Sequence, residues 1–322
     1  MTAREMMYGT REVFEYFECG VCGTVQIAEF PEMSRFYPPD YLSFNEDVEV
    51  AKTLPRRIAS RFAGRELLFG DSPIGRAVLA MKPWLADYFP HSMRGHPIGL
   101  RFDTRILDVG CGRGKLLRSL HYFGFRDLSG ADPFIESDLH FPEGITVHRA
   151  SLAELEPTYD LIMLHHSFEH FTDPILSMRE IWRLMTDESW CIVRIPILGE
   201  AWMRYGCDWV QMDPPRHLFL YTEESFRLAA TKGGLQVEHV YYDSGAFQFW
   251  GSEQYVRDIP LLDEKSLWVN PESTFFTKEQ LEGWAKEAEE LNESSRGDMA
   301  CFYLRRARMI DRGRGNKDHS CG

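Results

Sequence analysis

The stretch Arg105-Ile106-Leu107-Asp108-Val109-Gly110-Cys111-Gly112-Arg113-Gly114-Lys115-Leu116-Leu117 sets a short apolar run before three closely spaced glycines and an apolar-periodic segment after them. The run reads as a buried strand and the segment from Lys115 as a helix, so the glycines form the tight turn between them. Gly110, Gly112 and Gly114 let the backbone turn sharply and let a ligand lie against it, close to helix N–H groups that favour a carboxylate or phosphate. A dinucleotide fingerprint Gly-x-Gly-x-x-Gly would need glycine where this chain has Lys115, which disfavours nicotinamide cofactors. Asp132 ends the next apolar run, where a carboxylate can accept hydrogen bonds from both hydroxyls of a ribose. Loop and carboxylate together fit an adenosyl group. The alternative is a glycine turn that serves only to pack helix against sheet, with Cys111 as a small turn residue.

Outward from the loop, short apolar runs alternate with helical stretches. Strands are expected at Arg105–Val109, Leu128–Ala131, Thr146–Arg149, Leu161–Leu164 and Cys191–Ile195, with crossover helices between them, which is how a doubly wound α/β sheet is written in sequence. One helix is punctuated by Asp173 as cap and Pro174 at its first position, with Ile175, Met178, Ile181, Trp182 and Met185 as its apolar stripe. Another starts at Thr222 and stops at Gly233 and Gly234. Strands at Leu235–Tyr242 and Met299–Leu304 bracket an insertion over about 245–297 that holds Trp250, Trp268, Trp284 and a charged helix near Lys278–Leu291.

This divides the chain into a small N-terminal module over 1–60, a helical lead-in over 61–100, a main domain over 101–310, and a polar tail over 311–322 expected to be disordered. The first module carries Cys19-x-x-Cys22 and the run Phe36-Tyr37-Pro38-Pro39-Asp40-Tyr41, which cannot be one regular helix or a central strand. In the lead-in, Ile74, Val78, Leu79, Met81 and Leu85 recur at roughly helical spacing, although Pro83 should kink or end the helix early.

The glycine segment Leu107-Asp108-Val109-Gly110-Cys111-Gly112-Arg113-Gly114 resembles the first motif of class I S-adenosylmethionine (SAM)-dependent methyltransferases. The resemblance implies a Rossmann-like seven-stranded sheet. It implies that Asp108, Gly110, Cys111, Gly112 and Gly114 hold the methionine part of SAM, that Asp132 with Pro133 meets the ribose, and that Ser151 and Leu152 frame the adenine. Ser151 stands where the family often has an acidic residue. The segment His165-His166-Ser167-Phe168-Glu169-His170 is similar to the Glu-His segment of the ubiquinone-biosynthesis-like (type 11/23) branch and implies a SAM contact at His165. Trp209-Val210-Gln211-Met212-Asp213-Pro214-Pro215-Arg216-His217-Leu218 resembles a segment of the same broad branch, including members that modify sugars. Tyr16 to Gly23 looks like the second half of a zinc ribbon found in some sugar methyltransferases. Cys19 and Cys22 supply two of the four ligands that a closed zinc site needs, and the alternative is a vestigial ribbon whose cysteines are turn residues.

The formal net charge of -13 would repel nucleic acid or an anionic membrane, so neither is expected as a partner. Seven cysteines, odd in number and scattered, do not form a secreted disulfide framework, and no long apolar run occurs, so the expected location is cytoplasmic. No motif specifies an oligomeric state.

Transfer of a methyl group from a sulfonium asks the protein to align an acceptor, exclude water and remove one proton. The loops with His165 to His170 and Asp213 to His217 follow expected strands four and five, where such sheets bind ligands. His217 is the first candidate base, with His166 and His170 beside it. The competing role is a loop anchor bonded to a backbone carbonyl. Arg216 is a candidate clamp for an anionic substrate group or, alternatively, a tie to Asp213, and Tyr205, Trp209 and Asp213 complete the candidate acceptor site. The expected function is methyl transfer to oxygen or carbon of a small molecule or saccharide, in sugar or natural-product biosynthesis. The alternative is a SAM-binding scaffold or regulator without turnover.

Overall fold

The computed structural model describes residues 1–37, 48, 52–94, 98–156 and 158–307. The expected disordered tail and most of the proline-rich run after Tyr37 lie outside these residues. Three short strands open the chain: β1 (Thr2–Arg4), β2 (Val13–Glu18) and β3 (Val25–Ile27). Helix α1 (Leu54–Phe69) is capped by the Thr53 hydroxyl, and α2 (Pro73–Met81) by Ser72. Pro83 then starts a separate 3₁₀ segment, as its missing N–H requires.

The central sheet runs through β4 (Arg105–Val109), β5 (Asp127–Ala131), β6 (Leu139–His140), β7 (Thr146–His148), β8 (Tyr159–His165) and β9 (Met185–Pro196). It is completed by β11 (Leu235–Tyr242) and β12 (Met299–Arg306), with the two-residue β10 (Phe219–Leu220) standing apart. Between them lie α3 (Lys115–Phe123), α4 (Pro174–Leu184), α5 (Glu200–Tyr205), α6 (Glu223–Lys232), α7 (Phe247–Val256) and α8 (Lys278–Glu293). The strand order is β11-β12-β9-β8-β4-β5-β7-β6. Strands β9, β8, β4, β5 and β7 are parallel, and β12 runs antiparallel between β9 and β11. The expected seven strands are present. The eighth, β6, is a short antiparallel return onto β7 with no sequence signal beyond two residues.

Alternate residues of each central strand feed two cores. Leu107, Ile162, Leu164, Val193 and Phe302 pack with Met178 and Ile181 of α4 and Phe226 of α6 on one face. Ile106, Leu161, Met163, Ile192 and Tyr303 pack with Ala63 of α1 and Leu117, Leu120 and Phe123 of α3 on the other. Strands covered on both faces lose polar alternation, which is why they read as continuous apolar runs. Each fully buried Leu, Ile or Phe contributes about 1.5–3 kcal/mol. Trp182, expected in the α4 stripe, is instead 40% exposed and lies under the Arg306 guanidinium at 4.1 Å.

The N-terminal strands are tied to the main domain. β1, β2 and β3 form a second sheet that β10 completes, with Phe219 opposite Gln26 and Leu220 opposite Val25. Met6 and Met7 carbonyls accept from the N–H groups of Leu261 and Leu262, at 2.8 and 3.0 Å. Fully buried Glu5 accepts from Tyr8 N–H, Thr10 N–H and the guanidinium of Arg216, itself fully buried. Removing one partner from such a pair leaves an uncompensated charge in the interior. Glu5→Ala should therefore destabilise the chain by roughly 3–5 kcal/mol, seen as a lower urea midpoint at unchanged slope. An unchanged midpoint would show that the N-terminal sheet lies outside the cooperative unit.

Candidate active site

β4 stands between β5 and β8, where the strand order reverses, and the loops at the carboxyl ends of the parallel strands open there on a crevice. The turn after β4 keeps Gly110, Gly112 and Gly114 at positive φ, the region open to glycine. A Cβ on Gly110 would sit 2.4 Å from the Cβ of Ser167, whose hydroxyl donates to Val109 O at 2.8 Å, so the β4 and β8 loops close on each other here. Asp132 accepts from Gly112 N–H (2.8 Å) at one oxygen and from Phe134 N–H (2.9 Å) at the other. These bonds hold the carboxylate at the cavity wall and orient the loop around it.

A cavity of about 1090 Å³ occupies the crevice, slightly larger than the roughly 300–1,000 Å³ usual for ligand pockets. Of the residues expected at a cofactor, Gly110, Asp132, Pro133, Ser151, Leu152 and His165 line it. Asp108 and Cys111 line a neighbouring space of about 480 Å³, which shares Gly110, His165, Arg194 and Asp243 with the first. Gly112 and Gly114 shape the turn and line neither. The Ser151 N–H and hydroxyl both bond Glu154 in a capping box, which leaves backbone and Leu152 as the surface it presents.

The two loop motifs meet across the same cavity. His166, His170, Asp213 and His217 all line it. His217 Nδ1 lies 2.7 Å from Gln211 O, and His170 Nδ1 lies 2.7 Å from Arg216 O. A carbonyl can only accept, so each Nδ1 carries the proton and each Nε2 a lone pair. Each ring is thus anchored to a loop and still presents a basic nitrogen. The rings are 5.0 Å apart, and His217 Nε2 is 3.8 Å from both Glu169 Oε1 and Asp213 Oδ2. His166, in left-handed backbone, meets the Arg194 guanidinium, which also holds Asp243 at 2.8 Å.

Three expected acceptor contacts are corrected. Arg216 does not face the cavity: its guanidinium is enclosed by Glu5 and Asp213, Nε lying 2.9 Å from Asp213 Oδ2, so no charge is left for an anionic substrate. Trp209 is fully buried beneath the N-terminal sheet, with its indole N–H on Asp298 at 2.9 Å. Tyr205 packs on the same cluster and bonds Glu253, away from the cavity. Phe247, Trp268 and Tyr255, from the region read only as an insertion, line the cavity in their stead. Tyr37 stacks on Phe134 at 4.7 Å and meets the His170 ring edge-on at 6.1 Å, spanning the two ends.

Cys19 and Cys22 sit in the β2–β3 turn, with the Cys22 thiol 3.3 Å from the Thr24 hydroxyl. Among the described residues the one group of three or more metal-capable side chains is Glu169, His170 and His217, so no third ligand joins the two cysteines there. Glu169, part of the Glu-His segment, has no expected role of its own in the sequence.

Burial sets the protonation of the site. It pushes His165 down to about 3 and His170 to about 4, and lowers His166 and His217, so the rings are neutral near pH 7. Burial acts to raise Asp213, but the charge and hydrogen bonds of Arg216, together with His217 and His170, outweigh it and hold this carboxylate below its ordinary value. Burial pushes Glu169 up to about 8, and burial with the charge of Asp132 does the same to Asp108.

A family model described as a methyltransferase domain matches residues 52–240. No curated protein matches the chain. Similar solved structures include the cyclopropane synthase MmaA2 of Mycobacterium tuberculosis, 14% identical over 79% of this chain and 98% of that one, with a TM-score of 0.41. They also include phosphoethanolamine N-methyltransferase 2 of Haemonchus contortus, 17% identical over 77% of this chain and 57% of that one, with a TM-score of 0.39. Among the described residues no helix is long and apolar enough to cross a membrane.

An acid raised from 3.8 to about 8 keeps its proton in the folded chain while the unfolded chain loses it. The stability contributed by neutral Asp108 is full below about pH 4 and falls as pH rises toward about 8. Denaturation midpoints measured between these limits should fall more steeply for the native chain than for Asp108→Asn. Equal slopes would show that Asp108 ionises freely in the folded state.

Proposed function

The chain belongs to the methyltransferase domain family, and from that premise we propose that it moves a methyl group from SAM to a hydroxyl oxygen or an activated carbon of an uncharged small molecule or saccharide. It is a SAM-dependent methyltransferase; the residue roles and the acceptor class are the proposal. One observation carries it: Asp132, Pro133 and Leu152 at one end and His170 and His217 at the other line a single cavity at the switch point of the sheet.

The chain's own groups suit the cofactor. Asp132 retains lone pairs beyond its two loop bonds, enough to accept from the ribose hydroxyls. Pro133, Phe134 and Leu152 offer apolar surface to an adenine. Asp108 and Asp132 are raised by burial, and no cation counts among the causes, so a cationic ligand such as SAM supplies what both carboxyls lack. When bound, SAM supplies an electrophilic methyl group.

At the other end, neutral His217 presents Nε2 to the cavity and takes the acceptor's proton there. Ionised Asp213, 3.8 Å away, favours the imidazolium that results. Arg194, the cavity's own guanidinium, is already engaged by Asp243 and His166. Phe247, Trp268 and Tyr255 provide rings on which a sugar or aromatic acceptor can lie. Together these groups favour an uncharged acceptor.

Calorimetric titration with S-adenosylhomocysteine tests the first half. Asp132→Ala should weaken binding by at least about 10–100-fold, the loss of one hydrogen bond to a charged group. Saturable binding that is untouched by the substitution would remove Asp132 from the site. With an acceptor found by product screening, His217→Ala should lower kcat by about 10²–10⁴ at unchanged S-adenosylhomocysteine affinity. Full activity in that variant would leave His217 as a loop anchor, and binding without product from any acceptor would favour a scaffold.

A further inference from the structure

Glu169 lies at the first turn after β8 with both carboxylate oxygens wholly buried and, among the described residues, without a hydrogen-bond partner. An unpaired buried carboxyl is costly, and a folded chain retains one where something fills the gap. His166, His170 and His217 lie beside it, and Arg194, Asp213 and Tyr221 are close enough to act on its charge. One ligand atom each from Glu169, His170 and His217 lie within 4.8 Å of one another, close enough for small movements to bring all three onto one ion.

The two histidines are prepared in the way that metal-binding histidines are. Each gives its Nδ1 proton to a backbone carbonyl at 2.7 Å, which fixes the tautomer, aims the ring and leaves Nε2 with its lone pair. The backbone holds the three groups in register: Leu218 N–H donates to Glu169 O at 2.9 Å, and the Tyr16 hydroxyl donates to His217 O at 3.0 Å. Among the described residues no lysine or arginine bonds the Glu169 carboxylate, and Arg194, whose charge acts on it, is held by Asp243 and His166. Arg216, the nearest guanidinium in sequence to His217, is turned away onto Glu5 and Asp213.

We propose that Glu169, His170 and His217 form a site for a divalent first-row transition ion of the zinc type, beside the acceptor end of the cavity. Two imidazole nitrogens and one carboxylate suit such ions better than magnesium or calcium, which take oxygen ligands. Three protein ligands leave coordination positions open, and His170 and His217 line the cavity, so an acceptor oxygen can reach the ion. Ion binding stands independently of the methyl-transfer reading; the ion's use rests on it, for a bound ion takes the His217 Nε2 lone pair and lowers the pKa of that oxygen in place of the ring acting as base.

The test uses the full chain, stripped with a chelator and titrated with zinc and, separately, cobalt(II). One equivalent per chain is expected, with cobalt d–d bands of a nitrogen and oxygen site and no intense thiolate charge-transfer band. Glu169→Gln and His170→Ala should each weaken zinc by at least about 10–100-fold, the loss seen when even an orienting neighbour is removed. A Cys19→Ser, Cys22→Ser chain should keep the equivalent. No binding by the native chain, a thiolate band, or zinc affinity unchanged in both site variants overturns the site. S-adenosylhomocysteine is titrated in parallel on the stripped chain. If the stripped chain binds S-adenosylhomocysteine but takes up no zinc, the ion alone is refuted; if it takes up zinc but does not bind S-adenosylhomocysteine, the methyl-transfer site alone is refuted.

Discussion

Arg216 lies wholly out of water, and the shape of the site follows from how its charge is met. Asp213 answers it from three residues away and Glu5 from the far end of the chain. Glu5 also organises the turn between β1 and β2 by accepting from Tyr8 and Thr10, so a single guanidinium joins the N-terminal sheet to the loop that carries His217. A buried charge with one partner removed is worse than none at all, and this makes the arrangement nearly all-or-none. With Arg216 held, its carbonyl is placed for His170, and the Asp213 carbonyl accepts the His217 N–H.

The central sheet was legible because its physics is local. Both faces are covered, so Leu161 to Leu164 or Cys191 to Val193 had to be apolar throughout, and caps at Asp173 and Thr222 satisfy helix ends within three residues of themselves. The cofactor loop was legible for the same reason, since its glycines must adopt positive φ whatever the rest of the chain does. What escaped depends on partners far away in sequence. A two-residue strand such as β10 has no period, and its pairing with β3 joins residues nearly two hundred positions apart. Trp209 and Tyr205 looked like acceptor aromatics because aromatic side chains serve cores and ligands alike; the polar atom that decides, Asp298 for Trp209, arrives from the last strand's approach. Glu169 stood in plain sight beside His170, yet only its burial without a partner marks it out.

The cavity is uneven in what it asks of a ligand. Its walls near Asp132 come from strand ends and a glycine turn, rigid parts whose geometry the sheet dictates. Its walls near His217 come from loops and from α7 and the segment after it, held by bonds between distant pieces. A fold can keep the first half constant and vary the second, and substrate recognition resides in the half that is free to vary. The buried acids and neutral histidines add a second asymmetry. Without a ligand the site carries less charge than its residue types would suggest, since burial has withdrawn it from Asp108, Glu169 and the imidazoles.

The pairing of β3 with β10, and of β12 between β9 and β11, has a consequence for how the chain assembles. A ribosome delivers β3 long before its partner exists, and β9 and β11 before the strand that belongs between them. Such non-local closure is slow, because loop entropy is lost before contacts repay it. Until Met299–Arg306 emerges, the edges of β9 and β11 are open templates for another chain's strand. The last of the described strands is thus the one that closes the gap between β9 and β11, and until it arrives these edges are where a chaperone would have most to shield.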